Sequence, residues 1–528
     1  MTPPPFRRTA AVAAGLGLAL TLGWSAPAGA DQASPALTAT LDRLLADPRL
    51  DGALAGVVVR DAATGATLYD HGGDTRLMPA SNTKLLTSAA ALDVLGPDHR
   101  YTTDLVTDAT PRRGVLRGDL HLRGSGDPTM LAADYAALAA DLAASGVTTV
   151  RGDLVADDTR FDSVRLGRAW AWDTEADYYS AQISALTVAP DTDYDAGTVR
   201  VSAAPGATDG APPTVTLTPP GDWVTVENRA TTGPSGSANT LGVTREHGTN
   251  TLVVSGRIPL GAAPVTSWTA VDDPTGHAAS VLADALAAEG VRVTGDVVLG
   301  RATPAGATRV LASHASMPLS ELLVPFMKLS NNMHAEALVK TMGYATTGRG
   351  TWRDGLAAVR AYADRIGVAT ATYTQVDGSG LSRMNVVPPA ALATLLTEVR
   401  AEPWFDAWYA ALPVACEPDR LVGGTLRSRM CGTPAAGNAR AKSGSLTGAT
   451  GLSGYVTAAD GRELVFSVVL NNYLGAAPKD IEDAVVTALA SPDTAHPAPV
   501  PPPPGGAVAD PGPEDGVECA WRKPDLVC

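Results

Sequence analysis

Ser81 and Lys84 stand three residues apart, a hydroxyl and an amine at the spacing of one helical turn. A serine hydroxyl is a poor nucleophile until a neighbouring group takes its proton. A helix opening at Ser81 puts both side chains on one face, so the amine can be that base. It serves only when neutral, and a free lysine keeps its proton to a pKa of about 10.4. Burial lowers that value, and so does a second ammonium nearby. Lys442, in Lys442-Ser443-Gly444, is the natural second ammonium. A Lys84 pKa near 7 would represent roughly 4 to 5 kcal/mol of differential interaction. Two lysines coupled this strongly titrate as a pair, so a neutral Lys84 beside a charged Lys442 is one microstate of that pair. The chain has only six lysines, at 84, 328, 340, 442, 479 and 523. Only Lys84 has a serine three residues before it, and only Lys442 is followed by Ser or Thr and then Gly.

Ser330-Asn331-Asn332 lies between these two strings and supplies what acyl transfer still needs. Ser330 can relay a proton between the lysine pair and a leaving amine. Asn332 offers a donor and an acceptor to a substrate amide. Lys442 and Ser443 can bind a substrate carboxylate by charge and hydroxyl. The backbone N–H groups of Ser81 and Ser445 would form the oxyanion hole, and Gly444 would let substrate approach the strand closely. A Ser-His-Asp hydrolase is the mechanistic rival, but no G-x-S-x-G occurs. The eight histidines are scattered, with neither H-E-x-x-H nor H-x-x-E-H among them. No metal and no cofactor is therefore expected.

The elements that must position these groups are legible in outline. Pro79-Ala80 leads into Ser81, and Leu85, Leu86, Ala89, Ala90 and Leu92 continue at helical spacing to Gly96-Pro97. Residues 53–69 read as a hairpin turning at Ala62-Ala63-Thr64-Gly65, residues 319–342 as helix, 464–470 as a buried strand and 480–489 as a final helix. Between them, 106–295 is rich in Gly-Asp turns, Thr and Val. Within it 137–155 and 281–299 each give a helix, a Gly stop and a Gly-Asp turn into a strand, as an internal duplication or as a common unit used twice. From Ser491 the composition shifts to Pro, Gly and Asp, an extended linker rather than a packed element.

A chain of 528 residues is too long for a single core. Its charged fraction of 18% and hydrophobic fraction of 45% are those of a globular protein. The net charge of −15 argues against nucleic acid as a partner. Arg7-Arg8, the apolar run 10–22 and Ala28-Gly29-Ala30 make residues 1–30 a signal peptide. The mature protein is expected to be exported and extracytoplasmic, secreted or wall-associated, with no integral membrane span. Four cysteines suit an oxidising compartment. Local pairing, Cys416 with Cys431 and Cys519 with Cys528, is the simplest of three connectivities. Closing a 15-residue loop can add up to about 3 kcal/mol.

The chain resembles the class C low-molecular-mass penicillin-binding proteins, which are D-alanyl-D-alanine carboxypeptidases and endopeptidases. The resemblance rests on 79–84 (PASNTK), 329–332 (LSNN), 377–383 (DGSGLSR) and 441–444 (AKSG), and on the long separation of Ser81 from Ser330. It implies an α/β (α+β) transpeptidase or β-lactamase-like domain: a five-stranded sheet flanked by helices plus an all-helical lobe, with two β-rich domains inserted. The expected limits are 36–105 plus 296–490 for the catalytic domain, 106–295 for the insertion and 491–528 for the tail. The family resemblance makes Ser81 the acylated nucleophile, Lys84 the general base, Ser330 the proton relay, Asn332 a substrate ligand, and Lys442 with Ser443 the carboxylate clamp. The segment 178–184 (YYSAQIS) is similar to members that bind a diaminopimelate-like side chain, which implies that Tyr179 and Arg383 frame a pocket. Where those members carry an acid, this chain has Thr174 between Asp173 and Glu175. The implied partners are a peptidoglycan stem peptide ending in D-Ala-D-Ala and β-lactams as covalent inhibitors. A β-lactamase and a non-catalytic wall-binding module are the alternatives.

Overall fold

The strand Leu54–Asp61 carries valines at 57, 58 and 59, and the pleat sends them to opposite faces. Val57 and Val59 join a core with Leu41, Val468, Leu470, Ile481 and Val485, whereas Val58 joins one with Leu85, Leu86, Leu392 and Val469. Burial on both faces is why 464–470 reads as an apolar run interrupted only by Ser467. The computed structural model describes residues 34–305 and 309–491. The expected signal peptide, the Cys519–Cys528 loop and nearly all of the tail lie outside those residues.

The central sheet is antiparallel, with strand order Arg440–Leu446, Ala449–Thr457, Glu463–Asn471, Leu54–Asp61, Thr67–His71. The N-terminal hairpin thus completes a sheet begun by the C-terminal strands, and Arg440–Leu446 is left at the edge. Helices Pro35–Leu45 and Lys479–Ala490 cover one face. The other face meets a helical lobe that includes Thr83–Leu95, Leu319–Lys328, Asn332–Thr347, Trp352–Arg365 and Pro389–Glu398. Thr83–Leu95 is buried continuously from Thr83 to Leu92, the central helix of that lobe.

The stretch 319–342 is two helices rather than one. Leu319–Lys328 and Asn332–Thr347 are separated where Ser330 takes a left-handed φ of 58°. The Asn331 side chain caps the second helix by accepting from the His334 N–H. Apolar spacing continues across the break, so periodicity alone does not register it.

The inserted region has two cores. In the first, helices Ala132–Ala144 and Pro274–Ala288 pack on a sheet ordered Val297–Leu299, Leu154–Asp157, Leu120–Gly124, Thr102–Thr107, Arg309–Ala315. Thr102–Thr107 and Arg309–Ala315 pair with each other across the base of the insertion. That sheet therefore begins before residue 106 and ends after 295, because long-range pairing, not local composition, sets its limits. The two copies of the helix-turn-strand unit lie side by side. Arg292–Val293 pairs in parallel with Thr149–Val150, and Val297–Leu299 with Leu154–Asp157. A third Gly-Asp turn, Gly118-Asp119, extends the same row: Asp119 accepts from the Asp153 N–H at 2.9 Å and Asp153 from the Asp296 N–H at 3.1 Å. The second core is all β, built on Val265–Ala270, Thr198–Ala204, Thr214–Thr218, Thr225–Asn228, Thr251–Ser255 and Gly242–Arg245.

Candidate active site

Ser81 sits in a single 3₁₀ turn, Ala80–Asn82, that runs straight into Thr83–Leu95. Lys84, one turn on, is fully buried, and its Nζ lies 2.8 Å from Ser81 Oγ. Two further acceptors hold the amine: Asn332 Oδ1 at 2.6 Å and the Ser379 carbonyl at 2.8 Å. The first comes from the start of Asn332–Thr347 and the second from the 377–383 loop. That loop presses on the Ser81 turn. Gly380 has φ 87°, and a Cβ there would fall 1.9 Å from the Ala80 carbonyl oxygen, so only glycine fits.

The second lysine is arranged in the same way. Lys442 Nζ donates to Ser330 Oγ at 2.8 Å and to the Ser443 carbonyl at 2.7 Å. Ser443 Oγ turns away from it and donates to Thr425 Oγ1 at 2.6 Å. Thr425 belongs to the loop closed by the Cys416–Cys431 disulfide. A Cβ on Gly444 would fall 2.7 Å from the Pro79 carbonyl oxygen and 2.8 Å from Ser81 N, so the edge strand lies directly against the Ser81 turn. The Ala441 N–H bonds off the sheet edge to the Pro413 carbonyl at 3.0 Å. N–H groups alternate in direction along a strand, so Ser443 and Ser445 aim theirs at the same edge. Ser445 Oγ is buried without a hydrogen-bond partner among the described residues. An incoming peptide could add here as a further strand.

The geometry is that of an acyl-transfer site, and comparison with known proteins agrees. Residues 37–491 match the D-Ala-D-Ala carboxypeptidase 3 (S13) family. The chain belongs to that family. It is 48% identical to the D-alanyl-D-alanine carboxypeptidase of Actinomadura sp. (strain R39), over 98% of this chain and 96% of the relative. It is 26% identical to D-alanyl-D-alanine carboxypeptidase DacB of Haemophilus influenzae, over 80% of this chain and 86% of that one. The crystal structure of penicillin binding protein 4 (dacB) from H. influenzae superposes with a TM-score of 0.72 at 25% identity, covering 83% of this chain and 94% of that one. The fold is thus the penicillin-binding fold with inserted domains. The protein is a serine-type D-alanyl-D-alanine carboxypeptidase, a hydrolase acting on peptidoglycan. No helix among the described residues is long and apolar enough to cross a membrane.

Within this S13 site, Tyr179 and Arg383 touch different parts of it. Tyr179 enters through its backbone: its carbonyl accepts from Asn332 Nδ2 at 2.9 Å, and its hydroxyl donates to Asp177 at 2.7 Å. Arg383 is exposed and reaches the Thr447 carbonyl at 2.7 Å, in the turn after the edge strand. Glu175, beside Thr174, is engaged by Arg245 at 2.7 Å. Glu336, Ser379, Thr425 and Trp170 were not anticipated. Glu336 had a signal, since it follows Asn332 by four residues and so shares its helix face. Thr425 and Trp170 had none, because the folding of distant loops brings them in. Lys328 is a third buried lysine, its pKa lowered to about 7 by burial and by Arg440. Its ammonium meets the Leu412 carbonyl and not a serine, so geometry removes it as the base.

Proposed function

We propose that Ser81 is the acylated nucleophile and Lys84 its general base, in a reaction on stem peptides ending in D-Ala-D-Ala. Neutral Lys84 takes the Ser81 proton as Oγ attacks the carbonyl carbon of the penultimate D-alanine. The N–H groups of Ser81 and Ser445 hold the developing oxyanion. The proton passes by way of Ser330 and Lys442 to the nitrogen of the terminal D-alanine, which departs, and water then hydrolyses the ester. Lys442 and the Ser443–Thr425 hydroxyl pair receive the terminal carboxylate, and Asn332 the substrate amide. The observation that carries this reading is Lys84 Nζ at 2.8 Å from Ser81 Oγ, with a second lysine 2.8 Å from Ser330 Oγ.

A β-lactam would acylate the same serine and leave slowly. Cross-linked peptides, in which the leaving amine belongs to a neighbouring stem, would be endopeptidase substrates of the same chemistry. Arg383 and the Tyr179 segment would frame the rest of the stem. The site of action is extracytoplasmic, at the wall, after export by the 1–30 leader. Peptide mapping after labelling with a fluorescent penicillin tests the assignment. The label is expected on Ser81 alone, and a label on Ser330 or elsewhere would overturn it.

A further inference from the structure

Glu336 is a fully buried carboxylate that the reaction sequence above does not use. It lies one turn beyond Asn332, and both its oxygens are occupied. Oε1 accepts from the Ser379 N–H at 2.7 Å, and Oε2 accepts from the Gly378 N–H at 2.8 Å and from Trp352 Nε1 at 2.7 Å. The next amides of the same loop belong to Asp377, which accepts from Gly380 at 2.9 Å and Ser382 at 2.6 Å. Two buried carboxylates thus grip four amides of one short loop. The Ser379 carbonyl of that loop is an acceptor for Lys84. Asn332, the other acceptor besides Ser81, stands on the same helix as Glu336. The placement of the amine is therefore governed twice by Asn332–Thr347, once directly and once through Glu336 and the loop.

We infer that Glu336 is a positioning residue for Lys84: it fixes the Ser379 carbonyl that holds the amine against Ser81, and its negative charge biases the Lys84 proton. A buried carboxylate is costly unless its charge is used and hydrogen-bonded, and three donors satisfy this one. Burial first and Asp377 second push its pKa up to about 7, so its charge is held only through those donors. The other groups facing it are Asp377 on the loop, Trp352 on the next helix and Lys340 on its own helix, the last paired with Asp162 at 2.6 Å. A carboxylate near an ammonium favours the protonated amine. Replacing it with an amide should let Lys84 lose its proton at lower pH. An amide also turns its NH₂ group either on the Ser379 N–H or on the Gly378 N–H and Trp352 Nε1 together, so the loop loses a partner and gains a clash of donors in either orientation.

The inference rests on Ser81 and Lys84 acting as proposed. The full chain is therefore first labelled with fluorescent penicillin and mapped, and a label away from Ser81 overturns that reading on its own evidence. Acylation is then followed by stopped flow across pH for the parent, Glu336→Gln and Glu336→Asp. Glu336→Gln is expected to acylate at least tenfold slower on the plateau, with the acid limb displaced to lower pH. Glu336→Asp keeps the charge and should be slower with the limb unmoved. An acid limb of Glu336→Gln that stays where the parent's lies, whatever the plateau, would overturn the proposal, because a residue that only stabilises the fold changes the amount of active protein and not the titration of its base. If Glu336→Gln does not fold, Trp352→Phe removes one donor from Oε2 with less disturbance. An acylation rate lowered at least threefold at an unchanged melting temperature supports the inference, and an unchanged rate overturns it.

Discussion

Substituting Lys84→Arg separates the charge of the base from its ability to accept a proton. Arginine does not deprotonate in proteins, so the variant keeps a cation where Asn332 Oδ1 and the Ser379 carbonyl expect one, and loses the base. The ammonium is compact, with three acceptors between 2.6 and 2.8 Å. A planar guanidinium cannot reproduce that pattern, and its extra volume in a fully buried position costs about 1–3 kcal/mol of stability. A positioned base contributes about 10²- to 10⁴-fold, which at 1.36 kcal/mol per tenfold is about 3–5 kcal/mol of barrier. Single-turnover acylation by a labelled penicillin should therefore fall by at least a hundredfold. Circular dichroism should show a folded protein with a somewhat lower melting temperature. A folded variant that acylates within tenfold of the parent would refute the reasoning. It would shift the base to Lys442 acting through Ser330, the one other amine with a serine hydroxyl in reach among the described residues.

Gly444→Ala adds a methyl group 2.7 Å from the Pro79 oxygen and 2.8 Å from Ser81 N, so the edge strand or the nucleophile turn must move. A misplacement on the ångström scale costs about a hundredfold, and single-turnover acylation should fall by that order while far-ultraviolet circular dichroism is preserved. Replacing Cys416 and Cys431 together by serine frees the loop that carries Thr425. The melting temperature should fall in line with up to about 3 kcal/mol, and saturation of acylation should demand higher β-lactam concentration while the saturated rate changes little.

Those expectations rest on contacts that were only partly legible in the sequence. Ser81, Lys84, Ser330, Asn332, Lys442 and Gly444 could be named because their chemistry needs fixed residue types at short spacing, and short spacing survives in a linear string. The strand 464–470 could be named because it is short, β-rich and apolar but for Ser467, whereas the five-stranded sheet around it was implied by the family resemblance. The break at Ser330 was hidden, since it depends on one left-handed residue and an asparagine cap rather than on a change of hydrophobicity. Thr425 was hidden because a disulfide loop delivers it, and the base of the insertion because Thr102–Thr107 finds its partner some two hundred residues away. Arg383 was visible through its motif, and its exposed side chain reaches the Thr447 carbonyl in the turn after the edge strand.

The insertion takes part in building the site. Asn331 Nδ2 donates to the Tyr194 carbonyl at 3.0 Å, and Asn332 Nδ2 to that of Tyr179 at 2.9 Å, so both asparagines of the second motif are anchored on inserted chain. Trp170 Nε1 reaches Asp377 at 3.0 Å, and Asp162 pairs with Lys340 on the helix of Asn332 and Glu336. Each acceptor that places Lys84, apart from Ser81 itself, is thus steadied by inserted residues between 162 and 194. A site held within about half an ångström needs such a supporting shell, and helix Asn332–Thr347 alone could not supply it, because its first residues follow directly on the break between two helices at Ser330. Removing the insertion would leave the three motifs intact in sequence while withdrawing one partner each from Asn332 and Asp377 and the backbone carbonyls that anchor the Asn331 amide. On the proposed mechanism, the chain between Ser81 and Ser330 therefore helps to hold the reacting groups in place and is not a spacer that the motifs tolerate.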